Sequence, residues 1–189
     1  LNHAFFSSSG SEANDTVVRM VRRYWDLKGK PNKKTFISRE YAYHGSTMTG
    51  MSLGGMTAMH SQGDMMPGFE HVLPPYWYKY GSDMSHDDFG IHAANKIEEK
   101  INEIGPDNIA AFIGEPIQGA GGVIIPPDTY WPEFKKFVKN MTFFLLLMKS
   151  FVDSVELETG LDQILIILNL TLLLWPRELP QDISHCLES

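Results

Sequence analysis

Ser9-Gly10-Ser11, Tyr43-His44 and Glu115 are the groups whose types and settings could do chemistry in this chain of 189 residues. Ser9, Gly10 and Ser11 form a small turn ahead of a pattern in which Val17, Met20, Val21 and Tyr24 recur at helical spacing. That spacing predicts an amphipathic helix over Ser11–Lys28. The first turn of such a helix carries unpaired N–H groups and the positive end of the dipole, so it can seat a phosphate. An isolated Ser-Gly-Ser is more simply an N-cap. Tyr43 and His44 follow a strand predicted at Thr35–Ser38 and precede a helix start at Ser46, where open α/β sheets place their ligands. Glu115 leaves the apolar run Ile109–Gly114, which reads as a strand buried on both faces, and enters the glycine-rich Gly119–Gly122. Taken alone, Glu115 fits a site-lining acid and a solvated loop acid equally.

The elements that must position these groups are punctuated by ordinary signals. The first helix stops at Lys28-Gly29 before Pro31. Gly50–Gly68 is rich in Gly and Met and reads as a flexible loop, and Pro74–Tyr78 cannot be a central strand because its prolines lack donors. Asp83, His86, Asp87 and Asp88 lack the alternation of a calcium loop; Ser85 instead caps a helix with Asp87 and Asp88 in its first turn. That helix carries Ile91, Ala94, Ile97, Ile101 and Ile104 on one stripe, a charged face of Lys96, Glu98, Glu99 and Lys100, and an end at Gly105-Pro106. Val123–Ile125 is a further strand candidate, and Asp128 caps a helix with Tyr130, Trp131, Phe134 and Phe137 inside. Strands alternating with helices imply an α/β fold, a mostly parallel sheet with helices on both faces.

A net charge of −7 and no basic cluster larger than Lys33-Lys34 argue against nucleic acid as a partner. Cys186 is the single cysteine, so an internal disulfide framework and a Cys-based zinc site are excluded, and a cytoplasmic setting is expected. No leader pattern is visible, and the chain opens on Leu1 in mid-pattern, as a fragment would. Composition breaks near Asn140: fifteen of sixteen glycines precede it, against four of seventeen leucines. Residues 1–140 and 141–189 are therefore read separately.

The motifs in the first part resemble the pyridoxal-phosphate-dependent class III aminotransferases, most closely those passing an amino group from omega-amino acids or polyamines to pyruvate. SGSEANDT at 9–16, YHGST at 43–47, the Gly/Met-rich block 51–64, PPYWY at 74–78, GSDMS at 81–85 and the block 112–132 carry the likeness, in the family's order over residues 3–139. The resemblance implies the large domain of a fold-type-I transferase that works as a homodimer on a small amine and a keto acid. It implies that Ser9, Gly10 and Ser11 hold the cofactor phosphate, that Tyr43 stacks on the pyridine ring and that Glu115 orients groups around it. It places His44 beside the ring, although a satisfied buried histidine fits the residue equally well. Asn14 and Asp15 read as helix residues rather than ligands. Met56–His60 borders the substrate channel in relatives, with the small Ala58 leaving room there.

Two further groups are indispensable to the family: a lysine that bonds the cofactor and shuttles a proton, and an aspartate that pairs with the ring nitrogen. At their expected offsets this chain has Arg177 and Met148, neither of which can substitute. Past Asn140 the likeness stops. Family codons read one base late give Met148-Lys149, Ser154–Gly160 and Trp175–Leu179, so the tail reads as a shifted frame. Its apolar runs Met141–Met148 and Ile164–Trp175 are shorter than a membrane span needs. A leucine-rich, glycine-poor tail is expected to leave the sheet incomplete, to expose apolar surface and to aggregate. The expectation is an inactive stretch of a transaminase. An aminomutase or decarboxylase of the same fold, or a non-catalytic truncated subunit acting only through dimerisation, are the alternatives.

Overall fold

The computed structural model describes residues 7–138 and 142–148, together with the backbone of 165–168. Five strands form one sheet: β1 Thr35–Arg39, β2 Phe69–Val72, β3 Ile109–Gly114, β4 Phe144–Met148 and β5 Leu165–Leu168. Their order is β2-β1-β3-β4-β5, and every adjacent pair is parallel. The helices are α1 Gly10–Leu27, α2 Met48–Leu53, α3 Thr57–His60, α4 Trp77–Tyr80, α5 His86–Ile104 and α6 Tyr130–Val138. This is the α/β architecture expected of the sequence.

Helices cover both faces, and side-chain alternation along the strands sorts the core into two layers. On one face α5 and α6 lay Phe89, Ala93, Ile97, Ile101, Tyr130 and Phe134 over Ile37, Phe112, Leu145 and Leu147. On the other, α1 lays Val17, Val18, Val21 and Trp25 over Phe36, Ala111, Ile113, Phe144 and Leu146. β3 lies mid-sheet and is buried along its whole length, which is why its sequence is a continuous apolar run. Burying each of its larger side chains contributes roughly 1.5–3 kcal/mol. Trp25 also ties α1 to the sheet, its Nε1 donating to the Ala110 carbonyl at 3.0 Å.

Several boundaries differ from expectation. α1 begins at Gly10, because Ser9 in extended conformation accepts from the Glu12 N–H through its hydroxyl. The Glu12 carboxylate returns to the Ser8 N–H at 3.0 Å, close to a capping box. The helix after Tyr43-His44 is capped by Thr47, not Ser46. Gly50–Gly68 is not simply loop, since it holds most of α2 and all of α3. Gly50 and Gly54 are there because the helix packs directly on backbone: a Cβ on Gly50 would stand 2.9 Å from the His44 carbonyl oxygen. β2 gave too short a run to be recognised. Val123–Ile125 forms only a bridge between Gln118 and Ile124. In α5, Ile91 faces outward and Phe89, Gly90 and Ala93 line the core instead.

The largest correction concerns the tail. Expected to leave the sheet incomplete, it supplies β4 beside β3 and β5 beside β4. A strand buried on both faces needs an unbroken apolar run and little else, and Phe144-Leu145-Leu146-Leu147-Met148 provides one. Arg177 and the remainder of 169–189 lie outside the described residues. Among those described, no helix is long and apolar enough to cross a membrane.

Candidate functional site

The C-terminal ends of β1, β3 and β4 and the first turn of α1 meet at one edge of the sheet. Ser9–Ser11 come from the start of α1, Tyr43 and His44 from the loop after β1 and Glu115 from the exit of β3, and contacts tie α1 to the loop after β1. Ser11 Oγ accepts from the Ser46 N–H at 3.1 Å, locking the start of α1 to the loop after β1. Gly45 makes that approach possible: its φ is +115°, and a Cβ would lie 2.7 Å from Ser11 Oγ. Thr47 Oγ1 donates to Asp15 Oδ1 at 2.7 Å, a second tie across the same seam.

Ser9, Gly10 and Ser11 form an open turn. An added Cβ at Gly10 would meet nothing within 4 Å, and the Gly10 and Ser11 N–H groups have no acceptor among the described residues. Ser9 is both the N-cap and part of the expected phosphate seat, so the two readings of that serine are compatible. Tyr43 stands 42% exposed, leaving its ring available to a ligand.

Glu115 is buried, which overturns the solvated-acid reading. Its Oε2 accepts from the Gly119 N–H at 3.0 Å, while Oε1 has no partner among the described residues. Burial pushes this carboxyl up; the Arg39 guanidinium and the N–H groups of Gly119 and Tyr43 act in the opposite direction. The Tyr43 N–H lies near this carboxyl, at the exits of the neighbouring strands β1 and β3.

His44 turns inward and is 1% exposed. Its Nδ1 lies 2.9 Å from Met148 Sδ, and Nε2 has no partner among the described residues. Burial, reinforced by the nearby Arg39 and His71 charges, lowers its pKa to about 3, so the ring is neutral. Asn14, read from sequence as a plain helix residue, is also buried here. Its Nδ2 donates to the His44 carbonyl at 2.6 Å and points at Met148 Sδ at 3.6 Å. Two nitrogen groups thus converge on a thioether, a weak acceptor, at the position where the family resemblance expects an aspartate.

Arg39 and Asn14 are the residues that sequence reading missed. A charged residue closing a short strand was the available signal for Arg39, and Asn14 on the inner side of α1 was the signal for the other. Among the described residues, no group of three or more His, Cys, Asp or Glu side chains is placed to hold a metal ion.

Comparison with known proteins gives a consistent picture. The profile of the family described as aminotransferase class-III matches residues 2–153, thirteen residues beyond the composition break. A putrescine–pyruvate aminotransferase from Pseudomonas aeruginosa is 61% identical over 139 residues, covering 73% of this chain and 30% of the relative. A mitochondrial gamma-aminobutyrate transaminase from Solanum lycopersicum is 46% identical over 139 residues, covering 72% and 27% respectively. An omega transaminase from Pseudomonas jessenii, solved in complex with PMP, superposes with a TM-score of 0.76 at 44% identity, over 79% of this chain and 33% of that one. The (S)-enantioselective omega-transaminase of Thermomicrobium roseum gives 0.75 at 40% identity, over 79% and 34%. The chain spans about a third of the length of the relatives it matches.

Proposed function

The chain belongs to the class III aminotransferase family, whose members depend on pyridoxal phosphate, and we propose on that premise that it is the cofactor-gripping stretch of a transaminase acting on an omega-amino acid or polyamine and a keto acid. The observation that carries the proposal is convergence. The open helix turn at Gly10-Ser11 is tied through Ser46 to the loop that carries the exposed Tyr43 ring, and the Glu115 carboxyl lies at the exit of the neighbouring strand. They fit a phosphorylated pyridine ring at three points. The Gly10 and Ser11 N–H groups and the Ser11 hydroxyl would hold the phosphate, Tyr43 would stack on the ring, and Glu115 would orient groups around it. When bound, the cofactor supplies an electron sink for bonds to the amine carbon.

The fit fails at Met148, which brings no charge to a ring nitrogen. With Arg177 in place of the lysine, the chain is proposed to bind the cofactor reversibly and to be inactive as it stands. His44 acts in this reading from beneath, through Met148 and the loop, rather than against the ligand. The shifted reading frame, a homodimeric parent and a cytoplasmic setting belong to the same proposal.

Titrating the full chain with pyridoxal phosphate tests it. The expected result is saturable quenching of tryptophan fluorescence, competed by inorganic phosphate, weakened at least tenfold by Ser11→Glu and fully reversed by dialysis. An absorbance band that survives dialysis and maps, after borohydride treatment, to Lys149 contradicts the inactive reading. Absence of any phosphate-competed binding contradicts the site.

A further inference from the structure

Arg39 closes β1 with its whole side chain inside the protein, 0% exposed. Its Nη2 donates to the Glu115 carbonyl. The guanidinium lies over two rings of α6, 5.8 Å from the Tyr130 centroid and 5.4 Å from that of Trp131. Trp131 Nε1 in turn donates to the Pro116 carbonyl at 3.3 Å. Two consecutive carbonyls at the exit of β3 are therefore gripped from the α6 side. Gln118 Nε2 ties the next stretch back to the Glu40 carbonyl at 2.9 Å.

The charges are as informative as the contacts. Arg39 Nε and Nη1 have no hydrogen-bond partner among the described residues, and neither has Glu115 Oε1. The ion pairs found among those residues join surface lysines to glutamates and do not involve Arg39. A dry interior does not tolerate an isolated guanidinium or an isolated carboxylate, but tolerates the two near each other. The groups facing Arg39 are Glu115 from the β3 exit, His44 from the β1 loop and Tyr130 from α6; of these only Glu115 can carry the opposite charge at neutral pH.

We infer that Arg39 is a positioning residue for Glu115: one guanidinium fixes the strand exit that carries the carboxyl group and sets a positive charge near it at the base of the site. Arginine suits both tasks. Its planar fork reaches the carbonyl while lying on the rings, whereas lysine offers the charge without the fork and methionine the bulk without the charge. What the carboxylate faces rests on the proposed function; the coupling between Arg39 and Glu115 does not.

The test follows the Glu115 carboxyl by carbon-13 NMR in the ligand-free full chain, its signal assigned with Glu115→Gln. Arg39→Met is expected to raise the midpoint by a pH unit or more, a tenfold gain in proton affinity. Arg39→Lys is expected to hold most of the original value. An unchanged midpoint in a folded Arg39→Met chain overturns the inference. If Arg39→Met does not fold, Arg39→Met combined with Glu115→Gln decides: recovery of folding supports the coupling, and no recovery overturns it. Pyridoxal phosphate affinity is measured alongside, with a tenfold loss expected in Arg39→Met. A shifted midpoint without any cofactor binding in the parent chain would sink the proposed function and leave this inference standing.

Discussion

Met148→Asp should return a charge to a seat already equipped with nitrogen donors. Asp Oδ and Met Sδ are equally many bonds from Cα, so an aspartate oxygen can occupy the place where the sulfur lies 2.9 Å from His44 Nδ1 and 3.6 Å from Asn14 Nδ2. With the charges about 4 Å apart and an effective dielectric near 20, the attraction on a protonated His44 is about 4 kcal/mol. At 1.36 kcal/mol per unit, that raises the His44 pKa by about three units, from about 3 to about 6. Stability should follow. Folded His44 holds its proton less tightly than the unfolded chain does, so the unfolded state gains protons first as pH falls. The parent therefore loses stability progressively from about pH 6.5 down to about pH 3, by at most about 5 kcal/mol from this group. In Met148→Asp the histidine's share of that loss shrinks to about 1 kcal/mol and ends near pH 6. Imidazole nitrogen-15 NMR across pH 3–8, with urea melts at each pH, reads both effects. Met148→Asn keeps reach and removes charge, so its His44 should stay low. Identical titrations in the Asp and Asn variants, or a parent His44 titrating near 6.5, would refute the reasoning.

Other perturbations have equally definite outcomes. Gly45→Ala places a methyl 2.7 Å from Ser11 Oγ at a φ of +115°, and should cost about 1–3 kcal/mol in urea denaturation while weakening phosphate binding. Ser9→Ala removes the α1 cap and should cost about 1 kcal/mol, with a smaller effect on pyridoxal phosphate affinity than Ser11→Ala, which unties Ser46 as well. Trp25→Phe deletes the hydrogen bond to Ala110 and leaves a buried carbonyl short of a donor, for a loss of about 1–3 kcal/mol by thermal melting.

How far the sequence can be read here depends on how local each signal is. α1 and α5 were legible because each combines a period, a cap and a stop within a single stretch, and β3 because it is an unbroken apolar run. The α2–α3 region was not, because glycines that mark a close backbone approach are indistinguishable in sequence from glycines that mark flexibility; only the position of His44 O against Gly50 separates the two. Ser11, Tyr43 and Glu115 were legible through their motifs, and the contacts that join them are long-range. Asn14 and Arg39 carried only weak signals for the converse reason: both are polar residues whose burial is decided by distant partners, Met148 for one and Glu115 for the other. The tail misled because a count of leucines says nothing about whether a neighbouring strand edge is free to receive them.

That edge has a consequence for quality control in the cell. The sheet accepted Phe144–Met148 on oiliness and shape alone, seating all five side chains in its two cores. Its interior therefore does not proofread: any apolar segment of the right length and shape can be seated there. Discrimination begins at the last of the five, at the mouth, where Met148 meets His44 and Asn14 and a hydrocarbon-like group stands among nitrogen groups. Packing and charge are thus checked at different points along one strand.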